Sequence, residues 1–246
     1  MKFVQSFALL LTLMVTPLVN AVDNPPEAVT KALHIMFGDV DMQHLEIKQL
    51  PDLDLFEIVD TAKIDVFYIS SNGRYLIQGN SIYDIQQQGL DITDNRKNAL
   101  RLKALADVKD KDTIIFKPKT KPKHVVNVFT DVDCFYCSKL HREINDFNQA
   151  GIEIRYLGFP RAGLKSPTYR KMKNVWCAKD QKKAMTDAKA GLKVEKAECE
   201  TKIPQQYKLG QQIGVTGTPA LVLPNGELLP GYMPAKRLLR YLDQIE

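Results

Sequence analysis

The chain is poor in metal-ligand clusters, in excess charge and in long apolar runs. Its four histidines, His34, His44, His124 and His141, are scattered. A structural zinc site needs four ligands, usually as two close pairs, and Cys134 with Cys137 is the one close pair present. His141, a helical turn beyond Cys137, extends that pair to three ligands at most, so neither a metal nor another cofactor is expected. The net charge is +5, from 34 Lys and Arg against 29 Asp and Glu. The two signs interleave, as in DVKDKD (107–112), which argues against a nucleic-acid partner. The densest basic stretch, KPKTKPKH (117–124), reads as a solvated linker stiffened by Pro118 and Pro122; a phosphate- or lipid-binding patch is the alternative. No internal repeat and no low-complexity tract is present.

The missing long apolar run is informative at the N-terminus. Lys2 precedes an apolar run from Phe7 to Val19, short of the roughly 20 residues a bilayer needs. Val19 and Ala21 are small residues where a signal peptidase inspects the chain. Residues 1–21 therefore read as a cleaved secretory signal, with an uncleaved anchor as the alternative. Cleavage removes Lys2 and no acid, leaving +4 from +5. What remains has ordinary globular composition, 44% hydrophobic and 26% charged, and enough chain for two small domains.

All four cysteines, Cys134, Cys137, Cys177 and Cys199, follow the signal. An even count in an exported chain points to disulfides. Spacing favours Cys134 with Cys137 and Cys177 with Cys199.

Pro25 and Pro26 after Asn24 start a helix over 25–37. LEIKQL, LFEIVD and VFYIS are strands, and Asn72-Gly73 marks a hairpin turn into RYLIQG. This small α+β unit, 22–92, has little core of its own, and an edge strand pairing across a dimer axis would help it. A linker, 93–113, is helical over 94–108. It is capped by Asp94 or Thr93 and carries a narrow apolar stripe of Ala99, Leu102, Leu105 and Ala106. Residues 114–246 follow a β-α-β, helices, β-β-α pattern, hence α/β with a mixed sheet. HVVNVFTD (124–131) is its buried central strand, and one amphipathic helix runs through SKLHREINDFNQAG to Gly151.

Cys134 lies where that strand ends and a helix begins. Unpaired N–H groups and the helix dipole stabilise a thiolate there. The thiolate is the nucleophile, so Cys134 attacks and Cys137, one turn deeper, resolves the mixed disulfide. A disulfide across two residues closes too small a loop to be a useful staple. Cys177 with Cys199 closes a longer loop and is the better structural bond, with a redox relay as the alternative. In GVTGTPALVL, Pro219 precedes an apolar strand. Beside a CxxC it is read as cis; an ordinary trans proline opening a strand is the alternative.

These blocks, HVVNVFTDVDCFYCSKLH, GIEIRYLGFPRAGL, VWCAKD, GVTGTPALVLPNGELLPGY and GRYLIQGNSIYD, occur in an order that resembles the DsbC family of periplasmic disulfide isomerases over nearly the whole mature chain. The resemblance implies a thioredoxin-like fold with a helical insertion, a preceding N-terminal dimerisation domain and a helical linker. It implies a V-shaped homodimer with an uncharged cleft, chaperone-like binding of misfolded exported proteins, and re-reduction by a DsbD-like membrane reductase. It makes Cys134 attacking and Cys137 resolving, Thr218 and Pro219 the cis-proline pair beside the substrate, and Cys177–Cys199 a structural disulfide. Two departures stand out. Phe135-Tyr136 replaces the family's familiar Gly-Tyr at the helix mouth, where substrate would meet those side chains, and the segment from Thr93 to Lys123 is several residues longer. Both bear on the balance between an isomerase and reductase and a dithiol oxidase; the implied dimer cleft adds a third reading, a holdase that needs no cysteine.

Overall fold

The computed structural model describes residues 25–39, 41–79, 81–84 and 90–245. The expected signal, 1–21, and the proposed capping residue Asn24 lie outside the described residues. Among those described, no helix is long and apolar enough to cross a membrane.

The first helix, α1 (Glu27–Phe37), is capped by Pro26 without a side-chain bond. It buries Val29 and Leu33 on an antiparallel meander of β1 (Leu45–Leu50), β2 (Leu55–Asp60), β3 (Asp65–Ser70) and β4 (Leu76–Gln78). Alternate residues of a strand face opposite sides. Phe56, Ile58, Phe67 and Ile69 therefore meet α1, while Val59, Val66 and Tyr68 face away. The β3–β4 turn contains Asn72-Gly73, as the sequence implied. Gly73 has φ +71°, and a Cβ there would lie 2.3 Å from the Ala28 carbonyl oxygen, so only glycine fits against α1.

A short ribbon of β5 (Tyr83–Asp84) and β6 (Leu90–Asp91) leads into α2 (Ile92–Leu105). The α2 cap is Asp91, which accepts from Asp94 N at 2.9 Å; neither Thr93 nor Asp94 fills that role. Thr93 is instead buried, its hydroxyl 2.7 Å from Tyr68 Oη and accepting from Ile82 N. Of the expected stripe of α2, Leu105 alone is buried. Thr93, Leu100 and Leu105 are buried, whereas Ala99, Leu102 and Ala106 are exposed. The reason lies outside the helix: the second face of the meander offers Tyr68, Val59 and Val66, and α2 turns toward them. The same apolar cluster continues into Phe129, Phe159 and Ile213, so the meander's second face is covered within one chain. Arg101 Nε donates to Ile213 O at 3.2 Å, and Gln212 Nε2 donates to Thr61 O at 2.8 Å.

The remaining strands, β7 (Ile114–Phe116), β8 (His124–Thr130), β9 (Ile152–Gly158), β10 (Ala220–Val222) and β11 (Leu228–Pro230), form a mixed sheet ordered β11-β10-β8-β9-β7. Only β8 and β9 pair in parallel. Residues 117–123 of the basic stretch join β7 to β8, which begins at His124. Central β8 places Val126 and Val128 in the main core, each fully buried. Burying side chains of this size stabilises by about 1.5–3 kcal/mol each. The helix after β8 is not continuous to Gly151. It divides into α3 (Phe135–Arg142) and α4 (Ile144–Gln149) at Glu143, whose carboxylate is drawn aside by the Tyr232 hydroxyl and by Ala235 N. Between β9 and β10 lies an insertion of α5 (Pro167–Trp176), α6 (Gln181–Lys189) and α7 (Ile203–Gln212), and α8 (Ala235–Ile245) closes the chain. Ser166 caps α5 ahead of Pro167, and Asp180 caps α6, each cap contributing about 1 kcal/mol.

Candidate active site

Asp131 follows β8 and turns the chain into α3. Its Oδ1 accepts from Asp133 N at 2.8 Å, and its Oδ2 accepts from Arg161 N at 2.8 Å and Arg161 Nε at 3.3 Å. That turn delivers Cys134 to the N-cap position of α3. A cap side chain normally offers oxygen to the orphan N–H groups. Here the acceptor is sulfur, with Cys137 N donating to Cys134 Sγ at 3.2 Å.

Cys134 and Cys137 are unbonded in this structure, and both are buried, at 2% and 1% exposure. The Thr218–Pro219 peptide is cis, and the Cys134 thiol donates to the Thr218 carbonyl at 3.1 Å. The Thr218 hydroxyl is buried without a hydrogen-bond partner among the described residues. It acts to favour ionisation of both sulfurs. Ionisation of Cys134 would release the carbonyl and give the waiting hydroxyl an acceptor.

The two thiols are driven apart. Cys134 is lowered from 9.0 to about 5, chiefly by a hydrogen bond from the Cys137 thiol; burial opposes this, and Thr218, the Cys137 backbone N–H and Arg161 assist. Cys137 is pushed far up, first by burial and then by the hydrogen bond it gives to Cys134. One sulfur is thus an anion near neutral pH, and the other keeps its proton until something claims it. Phe135 and Tyr136 stand outside at 69% and 56% exposure, with ring centroids 5.3 Å apart, edge to face.

His141 does not join the sulfurs as a ligand. Its Nδ1 is 3.1 Å from Tyr156 Oη and its Nε2 3.0 Å from Thr186 Oγ1. Burial, with Lys189 assisting, lowers it to about 4, so it is neutral at pH 7. Among the described residues, no group of three or more His, Cys, Asp or Glu side chains is placed to hold a metal ion. Cys177, the C-cap of α5, is bonded to Cys199 in the irregular stretch after α6. Residue-type spacing located the sulfurs and the proline. It gave no weight to Asp131 or Arg161, although both lie within the sequence blocks quoted above, nor to Lys189, which sits in an unremarkable helical run.

Two sequence families match. A thioredoxin-like domain matches residues 109–246, and a disulfide bond isomerase protein N-terminal domain matches residues 20–94. The thiol:disulfide interchange protein DsbC of Salmonella typhimurium is 38% identical over 232 residues, 94% of each chain. That of Escherichia coli K12 is 45% identical over 179 residues, 73% of each chain. That of Haemophilus influenzae is 37% identical over 191 residues, 76% of this chain and 80% of its own. With the sulfur geometry above, these relationships show that the chain belongs to the DsbC family of thiol:disulfide interchange proteins, an isomerase N-terminal domain followed by a thioredoxin-like domain.

Proposed function

We propose that the chain reduces and isomerises incorrect disulfides in exported proteins. Cys134 attacks a substrate disulfide and forms a mixed disulfide, and Cys137 then attacks Cys134 Sγ to release the substrate thiol. The observation that carries this reading is the placement of Cys134 at the N-cap of α3, accepting from Cys137 N at 3.2 Å beside the cis Thr218–Pro219 peptide, which favours one sulfur as a thiolate and its neighbour as a thiol. Thr218 and Pro219 line the approach beside Cys134, and Phe135 with Tyr136 offers apolar contact to a substrate segment. Cys177–Cys199 serves as a structural bond. Residues 22–92 act as a homodimerisation domain, 93–113 as a linker and 114–246 as the catalytic domain, after removal of a signal, 1–21, that sends the chain to the periplasm. A DsbD-like membrane reductase keeps the pair reduced. Reactivation of scrambled ribonuclease tests the assignment. Reduced wild-type protein restores activity and Cys134→Ala does not; equal reactivation by both overturns it.

A second reading, dithiol oxidase, draws on the same stabilised thiolate, because a reduced form held this favourably makes its disulfide a ready oxidant. Acid trapping in cells separates the two. A mostly reduced Cys134–Cys137 pair fits the isomerase and a mostly oxidised pair fits the oxidase.

A further inference from the structure

Lys189 ends α6, and unlike Lys182 and Lys183 of the same helix it is buried, at 6% exposure. Its Nζ donates to Thr130 Oγ1 at 2.8 Å and to the Asp131 carbonyl at 2.7 Å. Both acceptors lie at the end of β8, in the backbone that runs directly into the two cysteines. Both are neutral oxygens. Among the described residues Nζ makes no ion pair with a carboxylate, since the nearby Asp131 carboxylate is already taken up by three N–H donors from Arg161 and Asp133. An ammonium has three donors, and two are used.

A buried ammonium without a counter-charge is costly, and burial lowers Lys189 accordingly, while Cys137, Cys134 and Asp131 pull it back up and Arg161 opposes them. Cys137 has the reciprocal problem. Burial holds it as a thiol, yet it must become an anion to resolve a mixed disulfide. The Asp131 backbone N–H and Lys189 both act on it in that direction. The other groups facing this space are Arg161 and Asp131, paired with each other; Asp133, paired with Lys171; and neutral His141 and the phenol Tyr156. None of them offers Cys137 an uncommitted positive charge.

We propose that Lys189 is a positioning residue for the resolving step, the buried counter-charge that lets Cys137 become a thiolate. Two unfavourable burials, a lone cation and an incipient anion, cancel when the thiolate forms, so the interaction strengthens along the reaction coordinate. In the step itself, Cys137 Sγ loses its proton, and its electron pair forms the bond to Cys134 Sγ. The bond from Cys134 Sγ to the substrate sulfur breaks, and that sulfur leaves with the electron pair and takes up the proton. The protein dithiol is oxidised to a disulfide and the substrate cysteine is reduced.

Assigning Lys189 this role presupposes Cys137 as the resolving thiol, and the test separates the two. A mixed disulfide is prepared between Cys134 and glutathione on the full chain, and glutathione release is followed from pH 5 to 9. If wild type fails to release it, the resolving assignment itself falls. If it does, Lys189→Met slows release at pH 7 by about tenfold or more, the equivalent of one unit in ionisation. Lys189→Arg, which keeps the charge, recovers most of the rate. In the Cys134→Ala background, thiolate absorbance of Cys137 appears at higher pH with Lys189→Met than with Lys189 intact. Release by Lys189→Met at the wild-type rate and with the wild-type pH profile overturns the proposal; so does Lys189→Arg behaving no better than Lys189→Met. Should Lys189→Met not fold, the Lys189 Nζ resonance in the Cys134→Ala chain decides, because it must shift with the same midpoint as the Cys137 absorbance.

Discussion

The two cysteine pairs present the same element in opposite conditions. Cys134 and Cys137 are three positions apart, and the Cys137 N–H donates to the Cys134 sulfur, whose ionisation is favoured by the Cys137 thiol and by Thr218. Cys177 and Cys199 are 22 positions apart, bonded, with Cys199 at the surface. A short ring restrains the unfolded chain little and a long one restrains it much. The two pairs thus differ in loop length and in the donors each sulfur can reach.

The widest gap between the pairs should appear with Cys137→Ser. Turnover stops and covalent adducts of Cys134 with substrate accumulate on non-reducing gels, whereas a pair acting only as a staple would leave no adduct. Next in size, Cys177→Ala with Cys199→Ala lowers unfolding free energy in urea by about 3 kcal/mol, the loop-closure value for this separation. Alkylation of Cys134 in the folded protein keeps its rate; a large loss of that reactivity would erase the division between the pairs. A third contrast is in pH. Iodoacetamide alkylation of Cys134 in the reduced chain holds its rate from pH 8 down toward the ionisation at about 5 and falls below it, while an ordinary thiol fades below about pH 8.5. Because the folded value is depressed, the stabilising effect of this thiolate is fully present above 9.0 and disappears as pH falls through about 5. A half-maximum near pH 8 would place Cys134 among ordinary thiols. The smallest effect belongs to Thr218→Val, which removes one donor from Cys134 and slows alkylation at pH 5 roughly threefold, as a modest hydrogen bond would. An unchanged profile would exclude the hydroxyl from the stabilisation.

Local pattern carried much of this. An apolar run ending in Asp-Val-Asp-Cys announces a buried strand that feeds a helix, and β8 with α3 follows. Asn72-Gly73 announces a turn and provides one. Thr-Pro before an apolar run brings Thr218 to Cys134. What escaped depends on neighbours that periodicity does not contain. Thr93 looks like a cap until Tyr68 is seen to claim its hydroxyl. Leu100 rather than Leu102 turns inward because the meander's second face, far away in sequence, needs covering. Glu143, where the helix breaks, meets the Tyr232 hydroxyl from 89 positions later. Lys189 resembles every other helical lysine until the fold encloses it.

Helix α6 lies wholly inside the loop that Cys177–Cys199 closes. That helix sends Thr186 to His141 and Lys189 to the strand end below the sulfurs. The floor of the reactive pocket is thus moored by the very kind of linkage the pocket exists to rearrange. That bond lies on the insertion, and Cys134 and Cys137 stay outside the ring it closes.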